Sequence, residues 1–383
     1  DVYKRQLHAG AEPSADSPYA RSLLLPQWRT EQVLREHLEG LGVAVRWGTP
    51  VEGVRQDGDR VTATLAGGDE LAARYLVAAD GGASTVRRAV GASFLGETRE
   101  EIQMLLGDVL ADGLDRDRWH MWEPFVGLCP LPATEEFQFQ AQLLPGGPTE
   151  PSLEAFQQIL DEAGAGYVRL RGATGLRRWR LNVRMVDRYR FGRVFLAGDA
   201  AHVHSPAGAQ GMNTGIGDGA NLGWKLAAVL GGADPDLLDT YEAERLPVAA
   251  DVLGLSNQLT TRRFEDRGAE GKRALQLGVG YRGGPLAPPT GADAAGAAGP
   301  QPGDRAPDGP LGTPEGRPTR LFDLFRGPHW TVLGFGVCPP VTGPQVRAVT
   351  VEAPGAGGTA DDRATADGAV GDGATGDLSL IHI

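Results

Sequence analysis

The segment GDAAH at 198–202 has residue types that could bind a sugar-containing cofactor, and it directly follows an apolar run at 194–197. That run predicts a buried strand, and ligands of α/β folds lie at the carboxyl ends of strands. An aspartate at such a position can accept hydrogen bonds from the hydroxyl groups of a ribose or ribityl chain. Asp199 is therefore a candidate ligand of such a chain.

Small residues follow at 205–211 (SPAGAQG), just before a long helix predicted at 212–230. The first amide N–H groups of a helix have no partner within it, and the helix dipole is positive at that end. The pattern therefore predicts an anion site, suited to negative charge that forms on a cofactor. The alternative is a small-residue loop that only lets the helix pack closely.

A second strand end carries DGGASTVR at 80–87, after the compact apolar stretch 75–79. Glycine lets a backbone approach a phosphate closely, so Asp80 and Gly81 are also candidate cofactor residues. The alternative is structural, because an aspartate before a helix is also a common helix cap. The sequence leaves both interpretations open.

These two segments, with YEAERLPVA at 241–249, resemble the FAD-dependent monooxygenases of the para-hydroxybenzoate hydroxylase fold. Within that family, GDRAPDGPL at 303–311 and RLFDLFRGPHWTVLGF at 320–335 are similar to polyketide, phenol and rifampicin hydroxylases. The resemblance implies an α/β (α+β) fold, with a Rossmann-like FAD-binding domain interleaved with an antiparallel-sheet substrate domain. It also implies the start of a thioredoxin-like C-terminal domain.

The resemblance assigns roles to individual residues. Asp199 would bind the ribityl chain of FAD, and Pro206 would lie beside the isoalloxazine. Asp80 and Gly81 would serve FAD and the incoming NAD(P)H together. The other implied flavin contacts, of which the last four line the pyrimidine edge, are Gln27, Gly198, Gly208, Gly211, Met212 and Asn213.

One family feature has no counterpart in the sequence. Members open with a strand, a G-x-G-x-x-G turn and a helix that hold the FAD pyrophosphate, and the glycines at 215–219 have the wrong spacing for this. We therefore expect a Rossmann-like domain without its first βαβ unit.

The activity implied is FAD- and NAD(P)H-dependent hydroxylation of an aromatic or polyketide-type substrate through a flavin C4a-hydroperoxide. The cofactor carries this chemistry, so no side chain is assigned as a catalytic nucleophile. The alternatives are an epoxidase, halogenase or reductase of the same fold, and a catalytically incompetent fragment. Three aromatic residues of a strand-rich region are candidates for the wall of a substrate pocket, although core packing is the alternative: Trp119, Trp122 and Phe125.

The elements that must position these residues follow from periodicity. Helices are predicted at 26–41, 153–163 and 236–256, with alternating strand patterns at 43–51, 53–56 and 61–65 and a hairpin turn at Asp57-Gly58. The domain layout that we predict is 7–92 and 185–283 for the FAD-binding domain, 93–184 for the substrate domain, 284–303 for a linker, 304–351 for a partial thioredoxin-like domain and 352–383 for a disordered tail.

Composition limits the partners. A net charge of -12 argues against a nucleic-acid surface, and there is no apolar run of the ~18 residues that a membrane helix needs. Two cysteines are too few for a disulfide framework, so we expect a reducing, cytoplasmic location. His202 and His204 lack further metal ligands nearby, so we expect no metal. The expected partners are a small aromatic substrate and O2, and a homodimer stays open.

Overall fold

A computed structural model describes residues 14, 18–19, 25–205, 210–261, 276–287, 299–312, 317–327, 329–343, 345–352 and 378–381 of the chain. Pro206 and Gly208, two of the predicted flavin contacts, lie outside the described residues. The structure divides into two compact units. The first takes in Arg21–Gly219 and Ala249–Arg267, and the second takes in Ala220–Val248 and Gly268–Ile383.

The first unit begins with the predicted helix, α1 (Gln27–Gly40). An antiparallel sheet follows in the order β1-β2-β3, with β1 (Val51–Gln56), β2 (Val61–Leu65) and β3 (Glu70–Ala73). The turn between β1 and β2 is the predicted one. The Asp57 carboxylate closes it by accepting hydrogen bonds from the amides of Asp59 and Arg60, each at 2.9 Å.

The strand predicted at 43–51 is wrong except for its last residue, because β1 starts only at Val51. Val43, Val45 and Trp47 are 54%, 41% and 74% exposed. A strand needs a hydrogen-bonded neighbour, and no strand in the described part of the chain pairs with this segment. Alternating apolar and polar residues therefore show that a segment can form a strand. Whether it does depends on a neighbouring strand with which it can form hydrogen bonds.

Two short elements come next, β4 (Leu76–Ala78) and α2 (Thr85–Ala89), and they are followed by the largest sheet. That sheet has six antiparallel strands in the order β12-β9-β5-β8-β7-β6. Its strands and the helix that covers it are β5 (Leu95–Asp112), β6 (His120–Trp122), β7 (Val126–Pro130), β8 (Glu136–Gln142), α3 (Leu153–Glu162), β9 (Arg169–Met185) and β12 (His202–Val203).

Alternate residues of these strands form the core of this region against α3. Leu105, Leu128 and Phe139 are fully buried on one face, and the ring of Phe139 stacks on Phe156 of α3 with centroids 4.1 Å apart. Gly107 lies beneath Phe156, where a Cβ atom would come within 2.9 Å of the ring. The period-two pattern of the sequence is thus used to pack one face of the sheet on a helix.

The first unit also contains a small sheet that joins distant parts of the chain. It has the order β10-β11-β4, where β10 is Arg190–Phe191 and β11 is Val194–Leu196. β11 and β4 are parallel, with Leu196 paired to Ala78. All three residues of β11 are fully buried, as its apolar sequence predicts.

Two long helices contribute to both units. The predicted helix after the small-residue run is α4 (Gly211–Leu230), and α5 (Asp239–Thr261) contains Pro247 within its length. The remaining elements belong to the second unit and are β13 (Pro310–Gly312), β14 (Pro318–Arg320), α6 (Leu321–Phe325), β15 (Trp330–Phe335), β16 (Val346–Val351) and β17 (Leu378–Ile381).

β15 is the central strand of a sheet in the second unit, parallel to β16 and antiparallel to β17. Leu333 of β15 is fully buried against Phe325 and Ala306. β17 lies within the stretch 352–383, for which the sequence predicts disorder. The domain boundaries drawn from the sequence stay predictions.

Candidate functional site

The two motifs singled out from the sequence leave the same edge of the small sheet. β4 and β11 run parallel, and the amide of Ala197 donates to the carbonyl of Ala78 at 2.9 Å, just beyond the last strand pair. The chain then turns into Asp80-Gly81 after one strand and into Gly198-Asp199 after the other. The carboxyl ends of two adjacent parallel strands thus lie side by side, which is where α/β sheets hold their ligands.

The turn after β11 is a single 3₁₀ turn, Gly198–Ala200. Gly198 has φ of +56°, a left-handed conformation that favours glycine. A Cβ atom on Gly215 of α4 would come within 3.2 Å of the Gly198 Cα, so helix and turn approach closely. Asp199 is exposed, and within the described part of the chain no group hydrogen-bonds to its carboxylate. The turn therefore presents a carboxylate that is free to accept hydrogen bonds from a ligand.

Asp218, which lies in α4, supports the 3₁₀ turn through hydrogen bonds. One of its oxygens, Oδ2, accepts the amide proton of Gly198 at 3.0 Å and a proton from His202 Nε2 at 2.8 Å. The side chains of Asp218 and His202 are completely buried. We call Gly198, His202 and Asp218 the Asp218 cluster. It fixes the peptide between Ala197 and Gly198, where the turn that carries Asp199 begins.

Two histidine nitrogens beside the Asp218 cluster are buried without a hydrogen-bond partner in the described part of the chain, His202 Nδ1 and His204 Nε2. The two imidazoles are stacked with centroids 6.3 Å apart. His204 Nδ1 faces the carbonyl of Ser205 at 2.9 Å and must donate to it, so Nε2 of a neutral ring is an acceptor. Burial lowers the pKa of His204, which favours this neutral form.

Asp80 has a different role from Asp199. Its carboxylate accepts the hydroxyl proton of Ser84 at 2.5 Å and the amide protons of Thr85 and Val86 at 2.8 and 3.1 Å. Those groups form the start of α2, so the carboxylate is engaged in helix capping. Gly81 has φ of +79° and supplies the turn. Asp80 therefore makes the contacts of a helix cap, and its predicted cofactor role stays a prediction.

Arg87 connects the two motifs. Its buried guanidinium donates to the carbonyl of Gly82 at 2.7 Å and to the carbonyl of Ala200 at 3.0 Å, and it lies 3.7 Å from the ring centroid of Phe94. Burial lowers the pKa of this guanidinium, but arginine stays charged in proteins. Arg87 therefore clamps the turn after β4 to the turn after β11.

The other predicted flavin contacts are placed as follows. Gly211, Met212 and Asn213 form the first turn of α4, and the Cβ position of Gly211 lies 3.6 Å from the His204 ring. No acidic side chain occupies that first turn, so the positive end of the helix is not neutralised there. Gln27 is exposed in the first turn of α1, and its amide donates to Glu31 at 2.8 Å within the same helix.

The structure does not bring the three candidate pocket aromatics together in one wall. Trp122 packs on the α3 face of the large sheet. Trp119 is 42% exposed and precedes the buried His120, so it alternates with a residue of the core face and points to the opposite face. Phe125 is half-buried in the connection between β6 and β7. Burial raises the pKa of the Cys129 thiol to about 12, so it is unreactive at neutral pH.

A second buried network lies further along α4, and sequence reasoning missed it. Lys225 Nζ donates to Asn221 Oδ1 at 2.8 Å and to Glu244 Oε2 of α5 at 2.7 Å, and Asn221 Nδ2 also donates to Glu244 Oε2 at 2.7 Å. We call these three residues the Lys225 cluster. Burial lowers the pKa of Lys225, and the contact with Glu244 opposes that shift.

Comparisons with known proteins agree with this geometry. A family model described as an FAD binding domain matches residues 2–256. A flavin-dependent monooxygenase of Mycobacteroides abscessus is 44% identical over 85% of this chain and 69% of its own length. The chain belongs to the family of FAD-binding, flavin-dependent monooxygenases.

Two further members of the family show the range of relatives. A rifampicin monooxygenase of Streptomyces venezuelae is 41% identical over 62% of this chain, which spans about half (52%) of that relative. The solved structure of OxyS, an anhydrotetracycline hydroxylase from Streptomyces rimosus, superposes with a TM-score of 0.65 at 30% identity. That match covers 88% of this chain and 71% of the hydroxylase. The predicted fold class is thereby confirmed.

The residues at the strand ends fit a flavin. An exposed carboxylate without a partner can accept hydrogen bonds from sugar hydroxyls, and the start of α4 offers amide donors. The described residues contain no group of three or more side chains that could hold a metal ion. No described helix is both long and apolar enough to cross a membrane.

Proposed function

We propose that this protein is an FAD- and NAD(P)H-dependent monooxygenase that hydroxylates an aromatic or polyketide-type substrate. The observation that carries the proposal is Asp199, which is exposed and unengaged at the ends of two parallel strands in a chain of the flavin-dependent monooxygenase family. Two relatives support the reaction class, since one is named a rifampicin monooxygenase and the other an anhydrotetracycline hydroxylase.

We assign the cofactor contacts from this geometry. Asp199 accepts hydrogen bonds from the ribityl hydroxyls, and Gly198 lets the backbone make the turn that presents it. The amides of Gly211, Met212 and Asn213 donate to the electron-rich pyrimidine edge. Because the helix end is positive, it stabilises negative charge on the reduced ring. Pro206 and Gly208 are proposed contacts on the family pattern alone.

FAD, when bound, supplies the redox chemistry by accepting reducing equivalents from NAD(P)H and using them to activate O2. The protein binds the cofactor, orients the substrate ring and excludes water from the reacting centre. His204 Nε2, a buried acceptor beside the start of α4, is suited to receive a hydrogen bond from a bound group. The roles of Asp80 and Gly81 toward NAD(P)H and of Gln27 toward FAD stay predictions.

The substrate class is tested by turnover with labelled oxygen. The protein is supplied with FAD and either NADPH or NADH, and with a tetracyclic polyketide, a simple phenol or a rifamycin. We expect one of these to accelerate NAD(P)H oxidation and to acquire a single ¹⁸O atom from ¹⁸O2. Oxidation that no substrate stimulates, with no label in any product, would contradict the proposed function.

A further inference from the structure

Asp218 is a buried carboxylate that belongs to the site without being able to touch a ligand. It lies in α4, is completely buried, and directs one oxygen to the Gly198 amide (3.0 Å) and to His202 Nε2 (2.8 Å). We infer that Asp218 is a positioning residue: it holds the turn 198–202 in the shape that presents Asp199 to the flavin. This inference rests on the proposed function.

Asp218 holds the start of this segment. The Gly198 amide that it binds belongs to the peptide between Ala197 and Gly198, and the carbonyl of Gly198 accepts a hydrogen bond from the Ala201 amide at 2.8 Å. The two peptides that flank Gly198 are therefore both held, which selects its φ of +56° from the many conformations that glycine can adopt. The bond to Asp218 is strong because its acceptor is charged. The direction of the Asp199 side chain follows from the conformation of Gly198.

Asp218 also holds the ring of His202. His202 opens β12, and its ring stacks with those of Tyr189 and His204, with centroids 6.3 Å from each. Its Nε2 donates to Asp218, because a carboxylate oxygen only accepts. Asp218 therefore binds Gly198, which begins the 3₁₀ turn, and His202, which begins the strand after it, and Asp199 lies between them.

Helix α4 packs directly on the 3₁₀ turn. Gly215 approaches Gly198 so closely that a Cβ atom on Gly215 would lie 3.2 Å from the Gly198 Cα. Asp218 is three residues further along the same helix, so contact and hydrogen bonds tie the turn to the first two to three turns of α4. The carboxylate thereby sets Asp199 relative to the amides at the start of α4.

Three variants of Asp218 and one control separate positioning from simple stabilisation. Asp218→Ala removes the hydrogen bonds to Gly198 and His202, whereas Asp218→Asn keeps an amide oxygen that can accept them. Glu244→Gln perturbs the equally buried Lys225 cluster, which contains none of the proposed flavin contacts. Asp218→Ser is the substitute if Asp218→Ala does not fold, because its hydroxyl is too short to reach the Gly198 amide.

Equilibrium FAD binding and amide hydrogen exchange of the peptide containing 198–204 are measured for each protein. We expect Asp218→Ala to weaken FAD binding by about tenfold, which is the effect of losing one hydrogen bond between Asp199 and the cofactor. We also expect it to speed amide exchange of the peptide that contains 198–204. Asp218→Asn is expected to bring the FAD dissociation constant and the exchange rate of this peptide to within about threefold of the wild-type values, a smaller difference than the tenfold change of Asp218→Ala. Glu244→Gln is expected to lower the unfolding temperature and leave both readings unchanged.

Each contrary result has a distinct meaning. If Asp218→Ala or Asp218→Ser binds FAD like the wild type with unchanged exchange at 198–204, the positioning role is wrong and the proposed function stands. If Asp218→Asn fails to rescue while Glu244→Gln weakens FAD binding equally, the role is only structural and the inference is overturned. If the wild-type protein binds no FAD while its fold is intact, the proposed function fails and takes this inference with it.

Discussion

Helix α4 takes part in two buried charged clusters that differ in how completely their hydrogen bonds are satisfied. In the Lys225 cluster each of the three side chains bonds to the other two, at 2.7 to 2.8 Å. In the Asp218 cluster one carboxylate oxygen serves a backbone amide and a histidine, and His202 Nδ1 has no partner within the described residues. The neighbouring Asp199 is exposed.

The difference shows how one helix can serve both stability and binding. The Lys225 cluster is a connected buried polar network. Its side chains bond to one another, so they specify the packing of α4 on α5 and are not directed at a ligand. The Asp218 cluster has an unpartnered histidine nitrogen, His202 Nδ1, beside an exposed carboxylate, and so has hydrogen-bonding capacity that a cofactor can take up. We therefore expect substitutions in the Lys225 cluster to change stability alone and substitutions in the Asp218 cluster to change FAD binding.

The largest expected effect on stability comes from Lys225→Ala. This change leaves the Glu244 carboxylate buried without its cation, which costs about 3–5 kcal/mol in free energy of unfolding. The matched control is the double variant Lys225→Met with Glu244→Leu, which leaves no unpaired charge and is expected to lose much less. Urea unfolding monitored by circular dichroism compares the three proteins. Equal losses in the single and double variants would show that the charges are not the cause.

Gly198→Ala is expected to have an intermediate effect on stability together with weaker FAD binding. Alanine in the left-handed conformation, with φ near +56°, costs about 1–2 kcal/mol. Gly219→Ala is the control, because a Cβ there meets no atom within 4 Å and the residue is in α4, where alanine is favoured over glycine. Thermal unfolding and FAD titration of both variants test this; a Gly198→Ala protein as stable as Gly219→Ala would contradict the turn geometry.

The smallest expected effect is the pH dependence contributed by His204. Burial lowers its pKa below the ordinary 6.5, so the unfolded chain binds this proton at a higher pH than the folded protein. Stability therefore falls as the pH drops through the interval between the unfolded and folded pKa values, and the loss is complete below the folded one.

His204→Gln removes this titration. The unfolding temperature of the wild type is expected to fall between about pH 7.5 and about pH 5.5, and the variant is expected to fall less. An identical decrease in both proteins would show that other groups account for the pH dependence. The Lys225 cluster is the same in both proteins. A difference in pH dependence between them is therefore caused by His204, the acceptor beside Asp199, and not by the Lys225 cluster.

The sequence predicted the strand-end position of Asp199 because its signal is local: an apolar run, then Gly-Asp, then small residues before a helix. It did not predict Asp218. An aspartate inside a glycine-rich helix is typical of a solvated face, and only the contact with Gly198 and His202 shows that it is buried. The Lys225 cluster was missed because Glu244 lies on another helix, and the sequence does not show that the two helices bring it to Lys225.

The strand prediction at 43–51 failed for a related cause. Local periodicity indicates which conformations a segment can adopt, whereas pairing and burial depend on residues far away in the sequence. Asp80 illustrates the same point, because its sequence pattern fits either a ligand or a helix cap. The hydrogen bonds from Ser84, Thr85 and Val86 show the capping contacts, which depend on the folded turn and not on the sequence pattern alone.

The most direct test of the account is the equilibrium affinity of the purified protein for FAD, compared between the wild type and Asp199→Ala. Losing a charged acceptor for the ribityl hydroxyls is expected to raise the dissociation constant by about tenfold to a hundredfold, with no change in unfolding temperature without cofactor. An Asp199→Ala protein that keeps full occupancy and the yellow flavin spectrum at the wild-type affinity would contradict it.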